Sequence, residues 1–130
     1  MANLTAKVEI QIEQIGSIFT SSNTLEGTAR IDVVESVLDG VSDGLVNFAL
    51  DVSQAKLVFM QSDQDLTVKT NDSGSPQETI SLTAGKPLLW VPDFPEAPTP
   101  FSDDVTALYV SNASGDTATL RIKALLDATP

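Results

Sequence analysis

Carboxylates are the side chains in this sequence whose type and spacing come closest to chemistry. The tightest acidic pairs are Asp63 with Asp65 and Asp103 with Asp104. A glycosidase sets two carboxyls across the scissile bond, about 5–9.5 Å apart. An extended backbone puts residues i and i+2 on one face, so Asp63 and Asp65 have the parity for such a pair. However, they sit in Ser62-Asp-Gln-Asp65, a turn between two apolar runs, where aspartates bond to nearby backbone. Calcium takes roughly six to eight oxygen ligands, in its best-known loop from twelve residues closed by a Glu. Asp63-Gln-Asp65 has no such loop. The expectation is solvated turn residues, with no catalytic residue, metal ligand or cofactor site.

What the chain lacks narrows the chemistry further. It has no histidine and no cysteine. Ser-His-Asp and Cys-His catalysis, imidazole and thiolate metal sites and disulfide staples all need one or the other. The seven glycines are scattered, and none opens a strand-to-helix phosphate loop. The expectation is a protein that is not an enzyme.

Charge bears on partners. Seven basic against eighteen acidic residues give a net charge of −11 over 130 residues. Nucleic acid and anionic membrane surfaces both call for a basic footprint, so neither is an expected partner. The acidity is spread along the chain and favours solubility and self-repulsion. Met1-Ala-Asn-Leu4 runs straight into an alternating pattern, so no export signal is expected, and no apolar run reaches the roughly 20 residues of a membrane helix.

The elements that would position any site are strands. Leu4, Ala6, Val8, Ile10 and Ile12 alternate with Thr5, Lys7, Glu9, Gln11 and Glu13, the period of a strand with one wet face. Residues 14–23 hold Gly16 and a Ser/Thr/Asn cluster and read as a loop, with Ile15, Ile18 and Phe19 tucked under the sheet. Leu25, Gly27, Ala29, Ile31 and Val33 then alternate as a second strand, weakened by Gly27. Over 34–39, Val34, Val37, Leu38 and Val41 have helical spacing, and Asp32 to Glu35 resembles a capping box. One short helical turn is expected there, the alternative being a bulged strand ending at Asp39-Gly40. Further strands are predicted over 45–52, 56–60, 66–70, 79–83, 105–110 and 117–125.

Trp90 closes the stretch Ile80-Ser-Leu-Thr-Ala-Gly-Lys-Pro-Leu-Leu-Trp90. It is the single tryptophan, and at roughly 150–250 Å² of buriable surface it is the expected centre of the core, next to Ile80, Leu82, Leu120 and Ile122. Residues 91–101 hold four prolines and cannot pair as a central strand. Phe94 and Phe101 anchor this segment. Trp90, Phe94 and Phe101 are the candidate partner-interface residues. The short alternating strands, with Val, Ile and Thr at 32 of 130 residues, predict an all-β chain: a single antiparallel β-sandwich domain over 1–130, jelly-roll-like, with at most the one helical turn near 34–39.

The patterns over 57–69, 80–90, Thr106-Ala-Leu-Tyr-Val-Ser-Asn112 and 120–128 carry a resemblance. The second half of the chain is similar to jelly-roll-like decoration or cement proteins on the capsids of tailed bacteriophages. That resemblance implies a non-enzymatic virion protein without cofactor. It would be made in the host cytoplasm, oligomerise as a homotrimer, and bind the major capsid protein from outside. The alternative is a carbohydrate- or receptor-binding module of a phage tail or fibre, which would need Trp90 and Tyr109 exposed on one face.

Overall fold

The computed structural model of the protein describes residues 4–94 and 100–127. Among the described residues the strands are β1 (Leu4–Gln14), β2 (Ser17–Gly27), β3 (Ala29–Val37), β4 (Gly44–Val46), β5 (Ala55–Ser62), β6 (Leu66–Thr70), β7 (Thr79–Leu82), β8 (Leu88–Trp90), β9 (Leu108–Ser111) and β10 (Ala118–Leu126), with one 3-10 turn at Val52–Gln54. β1 and β2 form a hairpin of their own. The remaining strands make two four-stranded sheets, ordered β3-β10-β5-β8 and β4-β9-β6-β7. β3 pairs with β10, β4 with β9, β5 with β8 and β6 with β7, all antiparallel. This is one long hairpin rolled into two sheets, the winding of a jelly roll.

The core follows from the two-residue period of a strand. β5 turns Val58 and Met60 inward, β6 Val68, β9 Leu108 and Val110, and β10 Leu120 and Ile122, all essentially removed from water. The alternate positions Arg121 and Lys123 point out and are exposed. Trp90 lies in this core cluster with Leu82, Leu120 and Ile122, and Ile80 packs against it.

Several expectations from the sequence need correction. The helical turn near 34–39 is absent: β3 runs on to Val37, with Val33 opposite Ile122 and Val37 opposite Ala118. The β-branched residues fit a pleated surface. The helical spacing misled because Val37 alone of the quartet is buried, while Val34 and Leu38 face water. The chain then turns at Gly40, with φ 84°, the bulge-and-turn alternative in all but the bulge. Residues 14–23 are strand and not loop. Gly16 takes φ 79°, Gln14 faces Ser17 across the tight turn, and the Ser/Thr run pairs residue by residue with β1. The predicted strand over 25–33 is two strands on different sheets, divided at Gly27. Over 45–52 only Gly44–Val46 pairs continuously, although Val46, Phe48 and Leu50 are all buried in phase, with Leu50 bridged to Val105.

Gly27 marks the place where the chain passes from the hairpin onto the edge of the sandwich. A Cβ there would run into the Leu126 carbonyl oxygen and the Leu125 side chain. The crossing is pinned by the Thr28 N–H, which donates to the Leu126 carbonyl at 2.8 Å. A carbonyl in a paired strand cannot step aside, so Gly27→Ala is expected to cost about 1–3 kcal/mol of stability. Chemical denaturation would measure this, and an unchanged midpoint would refute the close crossing.

Candidate functional site

Three of the four paired aspartates hold backbone N–H groups. The Asp63 carboxylate accepts the Thr119 N–H at 2.7 Å and Asp65 accepts the Ala84 N–H at 2.8 Å. Asp104 accepts the Val52 N–H at 2.9 Å, while Asp103 is exposed. Asp39, Asp51 and Asp72 likewise accept the backbone N–H groups of Gly115, Ser53 and Gly74. Much of the acidity therefore stitches loops together through charge-assisted hydrogen bonds. Asp63 and Asp65 tie down different segments, one reaching β10 and the other the turn after β7. Among the described residues no group of three or more acidic side chains is placed to hold a metal ion.

The three aromatic candidates lie at different depths. Trp90 is 7% exposed and Phe101 is 1% exposed. Their rings meet edge-on at 6.3 Å between centroids, a favoured aromatic geometry. Both are core residues, closed to a partner. Phe94 is half-buried against a second apolar cluster of Val8, Leu25, Val91 and Leu125. Of the proline-rich segment 91–101, residues 95–99, including Pro95 and Pro98, lie outside the described residues.

The surface that stands out is one that sequence reasoning missed. The β1–β2 hairpin has 11 residues in each strand, roughly 35 Å at about 3.3 Å per residue. Only its base rests on the sandwich, where Leu4, Ala6, Val8 and Leu25 cover Leu57 and Leu125 on the outer face of β5 and β10. The same hairpin face continues outward as Ile10, Ile12 and Phe19, since Ile12 sits opposite Phe19. There the apolar stripe has nothing beneath it: Ile12 is 51% exposed and Phe19 62%. Ile15 at the tip is fully exposed, and Ile18, on the opposite face, is 63% exposed. Large aliphatic and aromatic groups gathered at the end of a projecting arm are what interaction surfaces present. The signal was available: the alternation of β1 runs past Val8 to Ile12, farther than the sandwich can cover.

Beneath the overhang lies a groove of about 550 Å³ between Val8 and Ile10 of the hairpin and Leu57, Phe59, Pro87 and Leu89 of the sheet. Its rim is basic. Lys7 and Lys123 line it, Lys86 adjoins Pro87, and Arg121 and Arg30 share the outer face of β10 and β3 with Lys123. Lys7 and Lys123 pair with Glu9 and Asp32 at 3.3 and 3.4 Å. Arg121 and Lys86 form no ion pair among the described residues. Five of the seven cations of the chain thus gather on the side that carries the hairpin. The stretch 8–29 has Glu9, Glu13 and Glu26 and no cation. Among the described residues no helix is long and apolar enough to cross a membrane. The chain matches no protein-family model, no curated protein and no solved structure.

Proposed function

We propose that the chain is a non-enzymatic structural protein of a virus particle, resembling a phage capsid decoration protein that assembles with its own copies and binds the outside of the major capsid shell. The observation that carries this reading is the projecting hairpin. A monomer gains nothing from holding Ile12, Ile15, Ile18 and Phe19 in water, since apolar surface is stabilised only when it is covered, at about 25 cal/mol per Å². An assembly protein covers it on docking. The rolled sandwich beneath is a rigid mount for such an arm, and the resemblance over the second half of the chain points to the same kind of particle. Fold alone does not carry the reading, because jelly rolls also serve as lectins. A stacking platform for sugars needs exposed aromatic rings, and Trp90 is spent inside the core while Tyr109 is only half-exposed.

The test is co-sedimentation with undecorated shells of the parent particle. The protein is expected to pellet with shells and to raise their resistance to heat. Protein left wholly in the supernatant would refute the reading, and glycan-array binding would transfer it to a carbohydrate-binding module.

A further inference from the structure

We infer that β2 is the seam between copies of this chain: its open edge pairs antiparallel with β2 of a second copy about a two-fold axis, joining two hairpins into one four-stranded ribbon. The inference rests on the assembly reading above and names the contact through which copies meet. Among the described residues six strands lie at the edge of a sheet: β1, β2, β3, β4, β7 and β8. An open edge offers unpaired N–H and C=O groups to any other strand, so edges are normally kept very short or charged. Five follow that rule. β4, β7 and β8 have three, four and three residues. β1 carries Lys7, Glu9 and Glu13, and β3 carries Arg30, Asp32 and Glu35. β2 departs from it. It has 11 residues, no proline, and Glu26 as its only charge, and it keeps register with β1 from Ser17 to Gly27 without a bulge.

The hairpin turn sets which groups β2 offers. Gln14 faces Ser17 across two turn residues, and the pair that closes such a turn is hydrogen-bonded. Bonded and non-bonded pairs alternate along an antiparallel ladder. The odd residues of β2 therefore bond to β1, while Ile18, Thr20, Ser22 and Thr24 aim their N–H and C=O groups away from it. All four are exposed. Charge and symmetry choose a second copy as the occupant. At a net charge of −11 two copies repel over most of their surfaces, yet no charge lies between Glu13 and Glu26. Among the described edges only β2 is both long and nearly neutral, so the match for β2 is β2. A two-fold axis normal to the ribbon keeps each face on its own side, so odd residues meet odd residues. The longest such overlap that leaves Glu26 out of the ladder runs from Ser17 to Leu25, centred on Ser21. Serine and threonine then face each other across the seam, a favourable cross-strand pairing. The two Glu26 side chains end up roughly 33 Å apart along the ribbon at about 3.3 Å per residue, well beyond a Debye length of about 8 Å. Ile12 and Phe19 of both copies come to lie on one face, since they share a face within each hairpin. The contact is isologous and closes at two copies, in place of the trimer that the resemblance implies.

The experiment uses full-length variants at mirrored positions on the two edges of the hairpin. Ser22→Pro removes an outward N–H from β2, and Gln11→Pro removes one from β1. Proline is tolerated on an edge strand where the N–H faces water, so both variants should keep the wild-type fold, checked by circular dichroism and Trp90 fluorescence. In sedimentation velocity the wild type is expected to be a dimer. Ser22→Pro should associate about 30-fold more weakly or worse, because each strand loses a ladder bond, while Gln11→Pro should associate like the wild type. The chain has no cysteine, so single-cysteine variants report the register even if a proline variant misfolds. Ser21→Cys should link into a disulfide dimer on mild oxidation, because the axis sets position 21 opposite itself at about 4.5 Å between Cα atoms, within disulfide reach. Ser17→Cys should stay unlinked. Association unchanged in Ser22→Pro would overturn the inference. So would equal weakening in Gln11→Pro, or linkage of Ser17→Cys in place of Ser21→Cys. A monomeric wild type whose binding to shells is lost in Ser22→Pro would give the edge to a strand of the shell protein, overturning the inference while sparing the proposed function. A dimer that ignores shells would uphold it while the function fails.

Discussion

Trp90→Ala is expected to destabilise the protein by about 3–5 kcal/mol. The indole fills the sandwich from β8, a three-residue strand at the edge of its sheet. There it sits opposite Val58 in the β5 pairing and edge-on to Phe101. Phe101 belongs to the long connection before β9, so Trp90 is the piece that holds this connection against the sheets. Removing it leaves a cavity and strips one face from Phe101, and close-packed surroundings relax only partly into such a gap. At roughly 3–5 °C per kcal/mol for a domain of this size, thermal unfolding should fall by about 10–20 °C. Trp90→Phe should recover much of the loss, since an aromatic ring remains. The native protein supplies its own probe: its single tryptophan should emit at short wavelength and resist aqueous quenchers until unfolding. A water-like emission from the folded protein would refute the buried position.

Trp90 also shows why much of the core was legible in the sequence. Where the pattern alternates with a period of two and both sheets are covered, inward residues can be named without coordinates. Ile80, Leu82, Leu120 and Ile122 were named in this way, and all gather in the main cluster or pack against it. Burial needs only parity. Pairing needs partners far away in the chain, and parity cannot supply them. The stretch 25–33 alternates without interruption, yet the chain changes sheets at Gly27, because a crossing depends on what Leu125 and Leu126 leave free. The Ser/Thr run after Gly16 failed differently. Its composition is that of a loop, but serine and threonine are tolerated in a ribbon wet on one side and unsupported on the other. For the candidate site, the reading of Trp90, Phe94 and Phe101 as interface residues rested on aromatic size. Size marks a residue worth burying, and Trp90 and Phe101 are already buried in their own sandwich. Ile10 and Ile12 were put on the covered face of a strand by their alternation, and Ile15 and Ile18 were tucked under the sheet; they are left in water because the hairpin outruns the surface it lies on.

Asn112→Ala is expected to cost about 2–3 kcal/mol, more than loss of a typical hydrogen bond, because buried partners are stranded with it. Asn112 is 1% exposed, directly after β9, where one end of the sandwich closes. Its amide nitrogen donates to the carbonyls of Val37 and Asp116 at 2.9 and 2.8 Å. Its carbonyl oxygen accepts from the N–H and hydroxyl of Ser114 at 3.0 and 2.7 Å. One side chain thus joins the end of β3 to the turn before β10, and among the described residues no buried side-chain polar atom is left without a partner. Alanine removes two donors and one acceptor together. Ser114 can turn to water, but the Val37 carbonyl loses its donor at a buried site. Asn112→Asp separates packing from hydrogen bonding: it keeps the size and the acceptor but faces the two carbonyls with a negative oxygen. It should be at least as destabilising as alanine at neutral pH. Urea denaturation of both variants decides the matter. Aspartate well tolerated beside a damaging alanine would mean that Asn112 acts through its volume, and the bonds to Val37 and Asp116 contribute little.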